Sequence, residues 1–202
     1  WESSVQTNVG VDMTLLNNSV TLSANYYYKK TNDILLQVPI PRFSGVTVFP
    51  TQNKGSLENK GIELEVGYRK SFGDLFVEFN GNLSTNKNKV LRLADENPIY
   101  DGTIVSASQA RGGENITITR EGDPIGSFYG YVMDGIFQNQ AQIDQSPSQG
   151  SSTRPGDVKF KNMDEDDSTI DINDRTIIGN PFPDFTYGLS ANFAYKGFEF
   201  NV

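Results

Sequence analysis

Apolar and polar residues alternate strictly along much of this chain, and that pattern constrains its fold more than any other feature. Val9, Val11, Met13 and Leu15 alternate with polar or small residues, Leu16-Asn17-Asn18-Ser19 interrupts them, and the phase resumes at Val20, Leu22, Ala24, Tyr26 and Tyr28. A period of two places one set of side chains on one face of an extended strand. Across an Asn-containing interruption it predicts a β-hairpin. A second pair carries Ile62, Leu64, Val66 and Tyr68, then Ser71-Phe72-Gly73-Asp74, then Leu75, Val77, Phe79, Gly81 and Leu83; Glu63, Glu65, Glu78 and Asn80 take the opposite faces. A third runs Phe185, Tyr187, Leu189, Ala191, Phe193 and Tyr195, turns at Lys196-Gly197 and restarts at Phe198, Phe200 and Val202.

Each alternating run is about 10 residues long, roughly twice an ordinary globular strand and about what a tilted strand needs to cross a bilayer. Aromatic residues stand at the run ends, Tyr26-Tyr27-Tyr28, Tyr68, Phe72, Tyr195 and Phe198, where interfacial girdles lie in a membrane barrel. A soluble antiparallel sheet with one wet face gives the same alternation. The apolar fraction of 36% speaks against a large private core. No run approaches the ~18 apolar residues of a spanning helix, so any membrane crossing must be made by strands.

Connection lengths favour the barrel. The turns within the hairpins are short, whereas Asn32 to Asn59 and Leu91 to Pro183 are long, the asymmetry of an outer-membrane barrel with short turns on one side and long loops on the other. If the short turns are periplasmic, residues 91–183 must leave and return on the outside. Ser127 to Phe137 is then predicted to lie within a folded extracellular excursion instead of crossing once. Pro39, Pro41 and Pro50 mark the earlier connection as a stiff loop.

Composition removes several function classes. Net charge is −8, of which Asp157 to Asp174 contributes seven acids against two lysines, and no basic cluster of the kind that neutralises phosphates offers a nucleic-acid surface. The chain has no cysteine and no histidine, so disulfides, thiolate chemistry and the commonest general base and metal ligand are absent. Only carboxylate chemistry remains. Glu63 and Glu65 sit at alternate positions and are better read as facing a water-filled lumen than as a glycosidase pair, which must straddle a scissile bond. Arg111-Gly112-Gly113-Glu114 lacks the lysine and the strand-to-helix setting of a phosphate loop. No catalytic residue is expected.

Several motifs together resemble the barrel of SusC/RagA-type TonB-dependent transporters of Bacteroidetes. They are Trp1-Glu2, Asn8-Val9-Gly10-Val11-Asp12, Tyr26-Tyr27-Tyr28-Lys29-Lys30-Thr31-Asn32-Asp33, Asn59-Lys60-Gly61-Ile62-Glu63 and Asn86-Lys87-Asn88-Lys89-Val90. Further along come Gly122-Asp123-Pro124-Ile125-Gly126-Ser127-Phe128-Tyr129-Gly130-Tyr131, Asp134-Gly135-Ile136-Phe137-Gln138, Pro155-Gly156-Asp157 and the run from Asp174-Arg175 to Gly188. The resemblance implies an all-β fold, an antiparallel meander forming part of a large transmembrane β-barrel with long extracellular loops. It implies an active importer of glycans or peptides in the Gram-negative outer membrane, surrounded by outer-membrane lipid, partnered by a SusD-type surface lipoprotein and energised by TonB through a plug domain. Neither the plug nor a TonB-contacting segment falls within residues 1–202, which read as an internal piece of the barrel's carboxy-terminal part. About six strands leave two open edges and an apolar outer face, so this piece alone is not expected to be a stable soluble monomer. A soluble or cell-surface β-rich module that binds through calcium is the alternative; it would bury the Ile62, Leu64, Val66 and Tyr68 face under a second apolar layer.

Two further features bear on function. Asn162, Asp164, Asp166 and Ser168 alternate and Asp174 follows, the spacing of oxygen ligands in an EF-hand-like Ca²⁺ loop. The pattern departs from that loop: Asp167 stands where Gly makes the sharp turn, Asn162 replaces a leading Asp, and Asp174 comes one residue late. A solvated acidic loop is the other reading. Phe128, Tyr129, Tyr131 and Phe137 offer either a stacking surface for sugar rings or internal packing. Substrate-binding residues are not assigned by the sequence.

Overall fold

Side chains that alternate between an apolar and a polar face need an extended backbone whose hydrogen bonds run to neighbours, and the chain is built almost entirely from such strands. In the computed structural model the described residues are 1–37, 50–94, 97–104, 114–163 and 168–202. Pro39, Pro41, Arg111-Gly112-Gly113, Asp164 and Asp166 lie outside them. The chain divides into two compact units, residues 1–98, 120–125 and 182–202 in the first and 99–119 and 126–181 in the second.

The first unit is one antiparallel sheet. Strands β1 (Ser3–Leu15), β2 (Val20–Gln37), β3 (Thr51–Phe72) and β4 (Leu75–Thr85) follow one another as a meander, β5 (Lys87–Arg92) continues β4 along β3, and β12 (Phe185–Tyr195) and β13 (Phe198–Asn201) complete the order β1-β2-β3-β4-β12-β13. Local chemistry sets each hairpin. Leu16, Asn17 and Asn18 all take positive φ (52°, 55° and 65°), an arrangement that asparagine tolerates well. Between β3 and β4 the turn shrinks to Gly73-Asp74, with Gly73 at φ +62°. Lys196-Gly197 supplies positive φ at both positions, as a type I′ turn requires. Strand alternation puts these three turns at one end of the sheet, where Lys196 pairs with Asp74 at 3.6 Å.

Strands β2 and β3 are longer than the alternation predicts. They pair as far as Gln37 with Thr51, so the expected loop from Asn32 to Asn59 is in large part strand. The register slips between Asn32 and Leu35, next to Asp33 at φ +58°, and a bulge of this kind destroys a period-two pattern without ending the ladder. Strand β5 pairs with β3 on one side. Its other edge is occupied by residues 120–125: Val90 exchanges backbone bonds with Asp123 and Gly122 (both 2.9 Å), Leu93 N donates to Glu121 Oε1 (2.7 Å), and Ile125 N donates to Asn88 Oδ1 (2.8 Å). Val77, Val90 and Leu93 are the buried apolar residues of this unit among those described. A wall with so little interior matches the small private core expected from composition.

The second unit holds a four-stranded sheet in the order β11 (Arg175–Gly179), β8 (Ser127–Tyr131), β7 (Glu114–Thr119) and β6 (Ile99–Ile104), and a two-stranded sheet of β9 (Met133–Ile136) and β10 (Val158–Phe160). One turn of helix, α1 (Gln140–Asp144), is capped by Asn139. Residues 127–137 therefore contribute to two small sheets, and neither β8 nor β9 joins the long-stranded sheet. Ile118 and Phe137 form the buried apolar centre of this unit, with Ser127 and Asp174 buried as well.

Candidate functional site

Register converts the alternation into two continuous faces. On one, Met13, Leu22, Val66, Gly81 and Leu189 form a row across the strands, and the neighbouring rows hold Val11, Ala24, Leu64, Leu83 and Tyr187 on one side and Leu15, Val20, Tyr68, Phe79 and Ala191 on the other. Leu189, Phe198 and Val202 on this face are 75–80% exposed. In a water-soluble protein so large an apolar patch would drive association. Aromatic residues mark the borders: Tyr26 and Tyr187 toward one end, Phe72, Tyr195 and Phe198 toward the other.

The opposite face is polar: Gln6, Asn8 and Asp12 on β1, Asn25, Tyr27 and Lys29 on β2, Asn59, Glu63 and Glu65 on β3, Glu78, Asn80 and Asn82 on β4, and Ser190 and Asn192 on β12. Glycines on this face let polar side chains lie flat across the sheet. A Cβ on Gly61 would stand 1.9 Å from the Thr85 carbonyl oxygen and 2.7 Å from the Tyr27 hydroxyl, so only glycine fits there. Tyr27 reaches over that gap, and its single hydroxyl proton is shared between Thr85 O (3.2 Å) and Asn86 Oδ1 (3.1 Å). This happens where β3 changes partner from β4 to β5. Thr85 holds the junction by accepting from Ile62 N through Oγ1 at 3.0 Å. A concavity of about 370 Å³ beside it is lined by Gln6, Asn8, Asn25, Lys29, Asn59, Glu63 and Asn86 among others. Carboxamides dominate it, each presenting a donor and an acceptor without net charge.

Where the acidic segment is described, its buried carboxylate serves the backbone. Asp174 is fully buried, and its carboxylate accepts from Met163 N (2.6 Å) and Asp171 N (2.8 Å), closing a capping box with Asp171 on the 3-10 turn Ile172–Asp174. Ser168 is exposed and Asn162 half-buried. No group of three acidic side chains is placed to hold a cation among the described residues. Asp171-x-x-Asp174 follows the capping-box spacing, with Asp174 in the usual Glu/Gln place, and that signal was available in the sequence.

The aromatic set divides. Phe137 is buried and Phe128 lies on the strand face opposite Tyr129 and Tyr131. Tyr129 and Tyr131 instead flank Arg175, whose guanidinium carbon sits 4.6 Å and 5.7 Å from their ring centroids. Arg175 Nη2 also donates to the carbonyls of Asn115 and Tyr129, tying β11 to β7 and β8. Tyr100 packs on Tyr129 at 5.6 Å and Phe160 on Tyr131 at 5.1 Å. Sequence reasoning missed Arg175, whose partners are 46 and 60 residues away.

Comparisons with known proteins give a consistent picture. A family model described as "TonB dependent receptor-like, beta-barrel" matches residues 1–201. TonB-dependent receptor P3 of Formosa agariphila is 37% identical over 203 residues, covering all of this chain and 20% of that protein. SusC of Bacteroides thetaiotaomicron is 26% identical over 204 residues, covering all of this chain and 19% of that protein. Among solved structures, the RagAB peptide transporter superposes with a TM-score of 0.70 at 24% identity, over the whole chain and 20% of its own. The chain thus spans about one fifth of the length of these relatives.

Proposed function

Because the chain belongs to the TonB-dependent receptor-like β-barrel family of the bacterial outer membrane, whose named relatives are receptors and transporters and not enzymes, we propose that it forms part of the wall of an importer of glycans or peptides. The observation that carries this reading is the two-faced sheet: one exposed apolar face, carrying Lys70 near its short-turn end, backed by one polar face. Such a sheet is stable only with lipid on one side and water or protein on the other. A soluble binding module would need a second layer over Ile62, Leu64 and Val66. All three remain exposed.

In this reading the polar face lines the transport path. Its carboxamide-rich concavity suits ligands that present both donors and acceptors, which glycans and peptides do, and the likeness to RagAB, a peptide transporter, is in keeping with it. The ends bearing the long connections face outward, residues 91–183 form the extracellular excursion, and a SusD-type lipoprotein meets the barrel there. TonB acts through the plug. Calcium binding at the proposed set Asn162, Asp164, Asp166, Ser168 and Asp174 is part of the same proposal; with Asp174 already accepting from two backbone N–H groups, the other oxygens of the set would hold the ion and order the excursion before β12.

The test uses single cysteines in the full-length receptor, made simple here by the lack of native cysteine in residues 1–202. Leu64→Cys should react with a bilayer-soluble reagent and Glu65→Cys with a water-soluble one. Protection of Leu64→Cys from the bilayer reagent would overturn the wall assignment. Uptake of labelled oligosaccharides or peptides that persists without TonB would overturn the transport assignment.

A further inference from the structure

Above the apolar rows, at the end of the sheet opposite the three short turns, the same face becomes cationic. Register places Thr7, Tyr28, Lys60 and Lys87 in one row and Val5, Lys30, Glu58 and Lys89 in the next. Four lysines therefore face outward against one glutamate, immediately beyond Tyr26 and Ile62. Glu58 is already engaged, with Lys60 at 3.4 Å and the Tyr28 hydroxyl at 3.1 Å, and its side chain is 13% exposed. Among the described residues Lys30, Lys87 and Lys89 have no carboxylate within ion-pair distance, and Lys87 and Lys89 are exposed. Lys60 and Lys87 stand directly opposite each other, an arrangement that costs stability unless an anion lies between them.

Edge protection does not explain this patch: Lys30 and Lys60 are on interior strands with partners on both sides, and the far side of β5, which carries Lys87 and Lys89, is bonded to residues 121–125. Nor does it reflect the chain as a whole, whose net charge is −8. We propose that these lysines bind the phosphate-bearing headgroups of outer-leaflet lipid, with the acyl chains lying down the apolar rows below. The inference rests on the outer-membrane reading with the long connections outward. Geometry supplies both halves of a lipid site: ammonium groups on flexible stems at the interface, Tyr26 and Tyr28 at headgroup depth, and an apolar surface continuous with them.

The test is native mass spectrometry of the full-length receptor in nanodiscs of phosphatidylcholine doped with diphosphoryl lipid A. The triple variant Lys30→Gln, Lys87→Gln, Lys89→Gln should retain less lipid A, by about fivefold for each lysine removed, since each is worth about 1 kcal/mol toward an anionic surface. The corresponding triple arginine variant should retain it, and Lys29→Gln, on the polar face, should leave lipid A retention unchanged. If the triple glutamine variant does not assemble, Lys89→Gln alone carries the test with a fivefold loss. Equal retention by wild type and variant would overturn the proposal, as would equal retention of phosphatidylcholine. Displacement by excess inorganic phosphate would show a free-phosphate site and overturn the headgroup assignment. Leu64 and Glu65 labelling on the same protein reports independently whether the wall faces lipid.

Discussion

Placing a charge on Leu189 should damage the wall far more than placing one on its neighbour. Leu189 lies in the row of Met13, Leu22, Val66 and Gly81 and is 79% exposed on the apolar face. The apolar face runs from Ile62 to Phe72 on β3, with Lys70 near its short-turn border lying over the Phe72 ring at 5.1 Å; at about 3.4 Å per residue and a tilt near 45°, that is roughly 24 Å, close to the ~25 Å band of outer-membrane barrels. Val66 is then about 10 Å from the nearer border, beyond the reach of a single side chain. Gly81 offers no polar neighbour, since Leu189 leans across it. Leu189→Arg should therefore cost about 2–4 kcal/mol, as arginine does near a bilayer midplane. Ser190→Arg, facing Asn80 on the polar side, should cost under about 1 kcal/mol. Refolding the full-length receptor from urea into lipid vesicles, with the folded fraction read from the unheated gel band, measures both. The folding equilibrium should move on the order of 100-fold for Leu189→Arg and little for Ser190→Arg. Equal effects, or the reverse order, would refute the assignment of faces.

Gly61→Ala should destabilise the β3–β4–β5 junction by about 1–3 kcal/mol, because the new Cβ meets a backbone carbonyl at 1.9 Å; Gly10→Ala meets only the Asn25 side-chain amide at 2.1 Å, which can rotate, and should be nearly neutral in the same refolding assay. Asp174→Asn should loosen the segment from Met163 to Asp174 by about 1–3 kcal/mol, seen as faster proteolysis between those residues, because an acceptor-only carboxylate serves two backbone N–H groups there. Calorimetric titration with calcium on the intact protein separates that role from ion binding: any heat should vanish in Asp164→Asn and Asp166→Asn and persist in Asp174→Asn. Arg175→Lys keeps the charge but loses the planar fork held between Tyr129 and Tyr131, and hydrogen exchange at β7, β8 and β11 should rise at least fivefold, the equivalent of about 1 kcal/mol.

The legible part of this fold was the part with one apolar face. From Val9 to Tyr28, Ile62 to Leu83 and Phe185 to Tyr195 one face must be apolar, so the strands announced themselves by alternation. Beyond Tyr28 and before Ile62 the strands continue, but neither face is continuously apolar, and nothing forces residues such as Thr31, Asn32, Asn53 or Lys54 into a period of two. Pairing there is carried by the backbone ladder, which leaves no mark in the sequence. The polar face was legible as polar; its interlocking was not, because Tyr27, Gly61 and Thr85 come from three strands. The capping role of Asp174 went unread for the opposite reason, since its partners are local and a short-range cap and an ion ligand look alike when only residue types are compared. The lysines show the limit most clearly. Lys29 and Lys30 are adjacent and chemically identical, yet Lys30 stands opposite Val5 and Glu58 on the apolar side while Lys29 stands opposite Gln6 and Asn59 on the polar side. A slip of one residue in the β2–β3 register would exchange them, so which lysine stands on the apolar side and which on the polar side is decided by pairing with strands some thirty residues away.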